Sequence, residues 1–197
     1  MTTRVVLATR NAGKIAELRT ILAAAELDIE LIGVDAFSDL DDVAETGDSF
    51  AANAFLKARA VSAATGLPAI ADDSGLAVDA LNGMPGIFSA RWAGAHGDDE
   101  ANLRLLLGQL TDVPDERRGA EFVCAAVYVH PDGAEFVTEA AMRGVLTREA
   151  RGTNGFGYDP IFEVGERTTA EMAAAEKHAI SHRGKAFRAL AAQLRSV

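Results

Sequence analysis

The chain has 197 residues, 49% of them hydrophobic, and a formal net charge of −10. That much apolar sequence can bury one substantial core, so a single domain spanning residues 1–197 is expected, and the acidic balance argues against a surface that tracks DNA or RNA, which gathers positive charge into a stripe. The lone Cys124 cannot close an internal disulfide and sits in an apolar run as a small hydrophobe. With no leader-like N-terminus and no apolar stretch near the ~20 residues a membrane span needs, cytoplasmic residence is the expectation.

The first element is a strand over residues 4–8, carried by Val5-Val6-Leu7-Ala8, and the next a helix over 14–25, whose apolar stripe is Ile15, Leu18 and Leu22. Between them lies Thr9-Arg10-Asn11-Ala12-Gly13-Lys14. A strand, a tight turn and a helix start leave backbone N–H groups unpaired at the positive end of the helix dipole, an arrangement that accepts a phosphate; it also describes an ordinary βα connection. Lys14 sharpens the first reading. The chain uses fifteen arginines and only four lysines, so a lysine here suggests a compact charge on a flexible stem. The segment is no P-loop, because Ala8 stands where the first glycine belongs and Ile15 where the magnesium-binding hydroxyl belongs, and the Rossmann triplet of glycines is missing.

A second strand is expected over 29–33 and a helix over 49–65. Glu45 precedes that helix, Asp48 or Ser49 can cap it, and Asn53 and Lys57, four residues apart, share one of its faces. A short strand over 69–71 then runs into Asp72-Asp73-Ser74-Gly75-Leu76, placing two carboxylates and a hydroxyl at a strand end. Successive strand residues face opposite ways, so one carboxylate points to a site while the other ties down a turn. Glu45 and one of the pair can complete a hard oxygen site of the kind magnesium shares with substrate phosphates; Glu45 can equally be solvated.

The second half adds a helix over 100–110, strands over 121–129 and 136–143 separated by the turn His130-Pro131-Asp132-Gly133, a strand over 161–164 and a helix over 181–194. The fold class is therefore α/β, a central mixed sheet flanked by helices, with a hairpin breaking the parallel pattern. Between the last strands, Gly152-Thr153-Asn154-Gly155-Phe156-Gly157-Tyr158-Asp159-Pro160 gathers glycines and aromatics in a loop. Phe156 or Tyr158 can lay a ring on a flat ligand there, with Pro160 holding Asp159 extended; an elaborate turn over the core is the other reading. Lys177, His178, His182, Arg183 and Lys185 concentrate cations around the start of the last helix, where the dipole disfavours Arg183 and Lys185 unless an anionic or carbonyl-bearing group sits opposite; Lys185 and His178 are read instead as ordinary solvated residues.

Taken in order, Thr9 to Lys14, Asp72-Asp73-Ser74-Gly75-Leu76, Phe156-Gly157-Tyr158-Asp159-Pro160-Ile161-Phe162 and Ser181-His182-Arg183-Gly184 closely resemble the RdgB/inosine-triphosphatase family over essentially the whole chain. The resemblance implies two lobes around a nucleotide cleft, a homodimer, and Mg2+-dependent hydrolysis of non-canonical purine nucleoside triphosphates (ITP, dITP, XTP) to monophosphate and pyrophosphate. It implies that Thr9, Asn11 and Lys14, in the turn completed by Arg10, Ala12 and Gly13, hold the phosphates, with Lys177 a further cation. Asp73 would be the general base or a metal-linked carboxylate, with Glu45 beside it at the magnesium. Ser74 and Phe156, Gly157, Tyr158 and Asp159 would surround the nucleotide, and His182-Arg183 would meet the purine 6-keto edge. Arg10 departs from the small residue common in relatives, and Ala44 stands where relatives can show a second acid beside Glu45, which leaves Glu45 the candidate at that place. A Maf-like pyrimidine nucleotide pyrophosphatase and a non-catalytic nucleotide-binding regulator are the alternatives.

Overall fold

The structure, a computed structural model, describes residues 2–10, 12–25, 27–37 and 40–195, with the backbone alone for residues 12, 13, 16 and 17. Its strands are β1 (Thr3–Leu7), β2 (Ile29–Gly33), β3 (Ala69–Val78), β4 (Gly119–Val129), β5 (Glu135–Leu146), β6 (Phe162–Val164) and β7 (Arg167–Thr168). The helices are α1 (Ala12–Ala24), α2 (Phe50–Thr65), α3 (Asp99–Gln109), α4 (Ala174–Ile180) and α5 (His182–Leu194). Seven strands hydrogen-bond in the order β2-β1-β3-β4-β5-β6-β7. The sheet is mixed, as expected: β1 runs parallel to β2 and β3, whereas β6 runs antiparallel to β5 and β7.

The chain forms two compact units. In the first (Met1–Asp73, Cys124–Ala140, Arg183–Val197), strand alternation sends side chains into two separate cores. Val5, Leu7, Ile70, Cys124, Ala126 and Tyr128 pack with Leu18 and Leu22 of α1 and with Ala186, Phe187, Leu190 and Ala191 of α5. The residues between them in sequence, Val6, Ala69, Ala71, Val127 and Val129, pack with Ala54, Ala58 and Val61 of α2. Alanines on both sides of this second contact let α2 lie close to the strands. Ser49 starts the helix, its Oγ accepting the Ala52 N–H at 3.2 Å, so the serine of the two capping candidates is the cap.

The second unit (Ser74–Val123, Ala141–His182) is built on Leu76, Val78, Leu106, Leu110, Phe122, Met142, Tyr158 and Phe162. Arg118 is buried in it; its guanidinium donates to the carbonyls of Leu110 (2.7 Å), Leu146 (2.8 Å) and Thr147 (2.9 Å). Three acceptors on one planar fork tie the end of α3 to the end of β5.

Two expectations change. The strand expected over 69–71 continues to Val78, because Leu76 and Val78 resume the apolar alternation and are fully buried, so the carboxylates lie within β3 and not in a turn at its end. The helix α4 and the two-residue strand β7 carry no periodic signal long enough to be read from sequence.

Candidate active site

The two cores explain what happens to the adjacent carboxylates. Asp72 follows Ile70 by two residues and faces α1 and α5; Asp73 follows Ala71 and faces α2. One step of chain sends them to opposite sides of the strand, as alternation requires.

On the first side, Asp72 is 3% exposed and its Oδ2 receives Lys14 Nζ at 2.8 Å and Arg183 Nε at 3.3 Å. Burial alone raises its pKa, but Lys14, Arg183 and, more weakly, Lys57 outweigh it and hold the carboxyl well below the usual range. The anion expected opposite the cation-rich start of α5 is thus, at Arg183, supplied by the protein itself.

On the second side, Asp73 Oδ2 accepts Asn53 Nδ2 at 3.2 Å, and Lys57 Nζ stands 3.5 Å from Asp73 Oδ1 and 3.0 Å from Glu45 Oε1. Burial pushes the Asp73 carboxyl up, Lys57 pulls it back, and Glu45 pushes it up again, leaving it above the ordinary aspartate value. Lys57 is itself desolvated, which lowers its pKa, yet Asp73, Glu45 and Asp72 together raise it, so it stays an ammonium at neutral pH. Glu45 and Asp73 thus both lie against Lys57; the residues left open which of Asp72 and Asp73 would join Glu45, and the resemblance named Asp73. Asn53 and Lys57 received no role from sequence; the signal was a polar pair at i and i+4 on a helix face that otherwise buries Ala54, Ala58 and Val61.

The turn after β1 is only partly described. Thr9 precedes α1 in irregular backbone, α1 begins at Ala12 and Lys14 lies in its first turn, while Asn11 falls outside the described residues. Ala12 and Gly13 contribute helix backbone, where unpaired N–H groups belong. Arg10 turns to the segment after β2, bonding Asp42 and the Leu40 carbonyl (2.8 Å), with Asp35 at 3.8 Å.

The glycine-rich loop belongs to the second unit and is organised by Asp159. This carboxylate is 2% exposed; its Oδ2 accepts the Phe156 N–H at 2.9 Å and Lys177 Nζ at 2.5 Å, and its Oδ1 accepts Thr169 Oγ1 at 2.7 Å. Gly155, at φ +79°, leaves no room for a side chain, since a Cβ would stand 2.0 Å from Asp159 Oδ2. Gly157 N–H donates to Asp99 Oδ2 at 2.7 Å, a contact no sequence signal announced. The two aromatics separate cleanly. Phe156 is 54% exposed with Lys177 Nζ 5.3 Å from its ring centre, whereas Tyr158 is core, its hydroxyl donating to the Ser89 carbonyl at 2.9 Å. Of the two rings considered for stacking, only Phe156 is available. Nor does Pro160 hold Asp159 extended: Asp159–Ile161 form a 3-10 turn, whose first positions tolerate a missing N–H. His182 is buried with its ring stacked on Phe122 at 5.0 Å, Ser74 lies half-buried in β3, and Lys185 and His178 are exposed.

Among the described residues no group of three or more His, Cys, Asp and Glu could cage a metal ion. A two-carboxylate pair fits magnesium when substrate oxygens and water complete its shell, because that ion keeps several waters and seldom takes an all-protein cage.

Fold and site together define an α/β protein with a buried, cation-paired carboxylate set on its third strand and a glycine-aromatic loop. The sequence matches the Ham1 family over residues 5–193, and the chain belongs to that family. It is 62% identical to a dITP/XTP pyrophosphatase of Streptomyces coelicolor, over 99% of this chain and 98% of that one, and 60% identical to one of Frankia alni, over 98% of each. Among solved structures, a HAM1 protein from Coxiella burnetii superposes with TM-score 0.92 at 42% identity, covering 99% of this chain and 100% of that one. A nucleoside-triphosphatase / dITP/XTP pyrophosphatase from Mycobacterium abscessus gives 0.81 at 53% identity, covering 98% and 99%. The resemblance drawn from the four motifs is borne out at the level of the family.

Proposed function

We propose that the protein hydrolyses non-canonical purine nucleoside triphosphates (ITP, dITP and XTP) to the monophosphate and pyrophosphate, with Mg2+ held between Glu45, Asp73 and the substrate. The observation that carries this reading is the Glu45–Lys57–Asp73 set: two carboxylates on one ammonium, with the Asp73 pKa displaced upward by burial. High-identity relatives that act on dITP and XTP support the choice of substrate class.

The reaction joins a water oxygen to the α-phosphorus and breaks the bond from that phosphorus to the α–β bridging oxygen, releasing pyrophosphate. Asp73, with a raised pKa and a fixed amide partner, is suited to accept the water proton. Magnesium, when bound, supplies charge neutralisation on phosphate oxygens. Lys57 keeps the carboxylate pair from repelling itself apart, and Lys14, in the first turn of α1, brings its charge to the phosphate-binding turn of Thr9 to Gly13. In this reading Phe156 offers the ring face for the base, Asp159 sets the ring's backbone and Lys177, while Ser74, Gly157 and Tyr158 shape the surroundings. A donor such as His182 or Arg183 facing the 6-keto oxygen would reject ATP, whose 6-amino group leaves that donor unpaired.

Pyrophosphate release from ITP, XTP, dTTP, GTP and ATP, each with Mg2+ and with EDTA, tests the proposal. Metal-dependent release from ITP and XTP is expected. A preference for dTTP would transfer the chain to pyrimidine nucleotides, and binding without turnover would make it a regulator. A cytoplasmic homodimer completes the reading, and sedimentation at micromolar concentration checks the dimer. Among the described residues no helix is long and apolar enough to cross a membrane.

A further inference from the structure

Asn53 is a fully buried amide in the first turns of α2, and both its ends are used. Its Oδ1 accepts the Gly47 N–H at 2.8 Å and its Nδ2 donates to Asp73 Oδ2 at 3.2 Å. The backbone N–H of Gly47 can only donate, so it fixes which end of the amide is oxygen and obliges the nitrogen to face Asp73. Gly47 lies two residues after Glu45, so this one side chain ties the segment carrying the first carboxylate to the carboxylate of the second. The seat admits nothing larger than hydrogen at Gly47, where a Cβ would fall 2.7 Å from Ala52 Cβ, 2.8 Å from Asn53 Oδ1 and 3.0 Å from Asn53 N. The Asn53 N–H itself bonds the Ser49 carbonyl at 3.1 Å, so the amide is anchored on the capped end of α2.

We infer that Asn53 is a positioning residue: seated against Gly47, it sets the spacing between Glu45 and Asp73 and so the geometry of the divalent-cation site. The inference rests on the reading that those two carboxylates share a cation. In this role Asn53 orients one carboxylate by a direct hydrogen bond and the other through the backbone of residues 45–47. Groups in this position ordinarily govern metal affinity or activity by about 10- to 100-fold.

The test is Mn2+ binding to the nucleotide-free protein, measured by electron paramagnetic resonance, for wild type, Asn53→Leu, Asn53→Asp, Gly47→Ala and the pair Glu45→Gln and Asp73→Asn, with thermal unfolding and ITP kinetics alongside. Leucine has nearly the shape of asparagine and removes both hydrogen bonds; aspartate keeps the acceptor for Gly47 and turns the donor toward Asp73 into a second anion. Gly47→Ala displaces the seat without altering Asn53, and serves if Asn53→Leu does not fold. Asn53→Leu and Gly47→Ala are expected to weaken Mn2+ by about 10- to 100-fold, and to lower kcat in a way that added Mg2+ partly restores, with KM for ITP little changed. Asn53→Asp should retain more of the melting temperature than Asn53→Leu yet shift the metal requirement. Unchanged Mn2+ affinity in folded Asn53→Leu and Gly47→Ala, with only a lower melting temperature, would make Asn53 a structural residue and overturn the inference. If Glu45→Gln and Asp73→Asn bind Mn2+ as wild type does, the shared-cation reading itself falls, and the inference with it.

Discussion

Asp72 and Asp73 are chemically identical and adjacent, yet the two sides of β3 treat them oppositely. On the α1 and α5 side, one buried carboxylate is met by two cations and its ionised form is secured. On the α2 side, Glu45 and Asp73 both lie against Lys57, and for Asp73 burial prevails over the attraction of Lys57 and, more weakly, Lys14. An anion whose charge is secured by its cations is a structural tie; one whose carboxyl is raised by burial keeps an affinity for a proton or a metal ion. On the proposed function the difference divides the work: Asp72 holds Lys14 and Arg183 in place, and Asp73 is the carboxylate that reacts.

The strongest way to break that assignment is Asp73→Asn, which should lower kcat for ITP by at least about 100-fold while the protein stays folded. Because the folded state raises the pKa of Asp73, the native protein binds that proton more tightly than the unfolded chain does, so ionisation of Asp73 costs stability as pH rises through the window between the two values. In metal-free buffer above that window Asp73→Asn should be at least as stable as wild type in urea unfolding, with the advantage fading as the pH falls. A large loss of stability would show Asp73 to be the structural member.

Next in size, Asp72→Asn should cost about 3 kcal/mol, since it removes the buried anion that Lys14 and Arg183 share, and the same unfolding experiment measures it. A change within about 0.5 kcal/mol would mean that the two cations find other partners. The pH dependence runs the other way from Asp73. Asp72 has a depressed pKa in the folded state, so its contribution is present above the unfolded value and drains away as pH falls below the ordinary aspartate range. Wild type should therefore lose stability in acid more steeply than Asp72→Asn; parallel curves would contradict the low pKa.

The smallest effect is expected at Arg10→Ala. Its guanidinium is half exposed on Asp42 and Asp35, and exposed pairs contribute no more than about 1 kcal/mol and fade in salt. A loss of ITP turnover well beyond what that pairing explains would return Arg10 to the phosphates.

Much of this could be read from the chain because alternation and helical period act locally. The runs Val5 to Ala8, Phe122 to Val129 and the Ser49-capped helix announce their elements, and the opposite facing of Asp72 and Asp73 follows from a strand alone. What escaped depends on distant partners. Nothing near Asp72 in sequence says that Arg183 is its partner, 111 residues away. Tyr158 and Phe156 look equivalent in one glycine-rich loop until the Ser89 carbonyl claims the tyrosine hydroxyl. Arg118 resembles any surface arginine until three carbonyls enclose it. Asn53 belongs to the same group: its face of α2 was legible, its two hydrogen bonds were not.

The most direct test of the division of labour across β3 is a site-resolved carboxyl NMR titration of Asp72 and Asp73 in the metal-free protein. Asp72 should remain ionised well below the ordinary aspartate range while Asp73 takes up its proton above it, and only Asp73 should respond when Mg2+ is added. Two ordinary titrations, or the order reversed, would contradict the account.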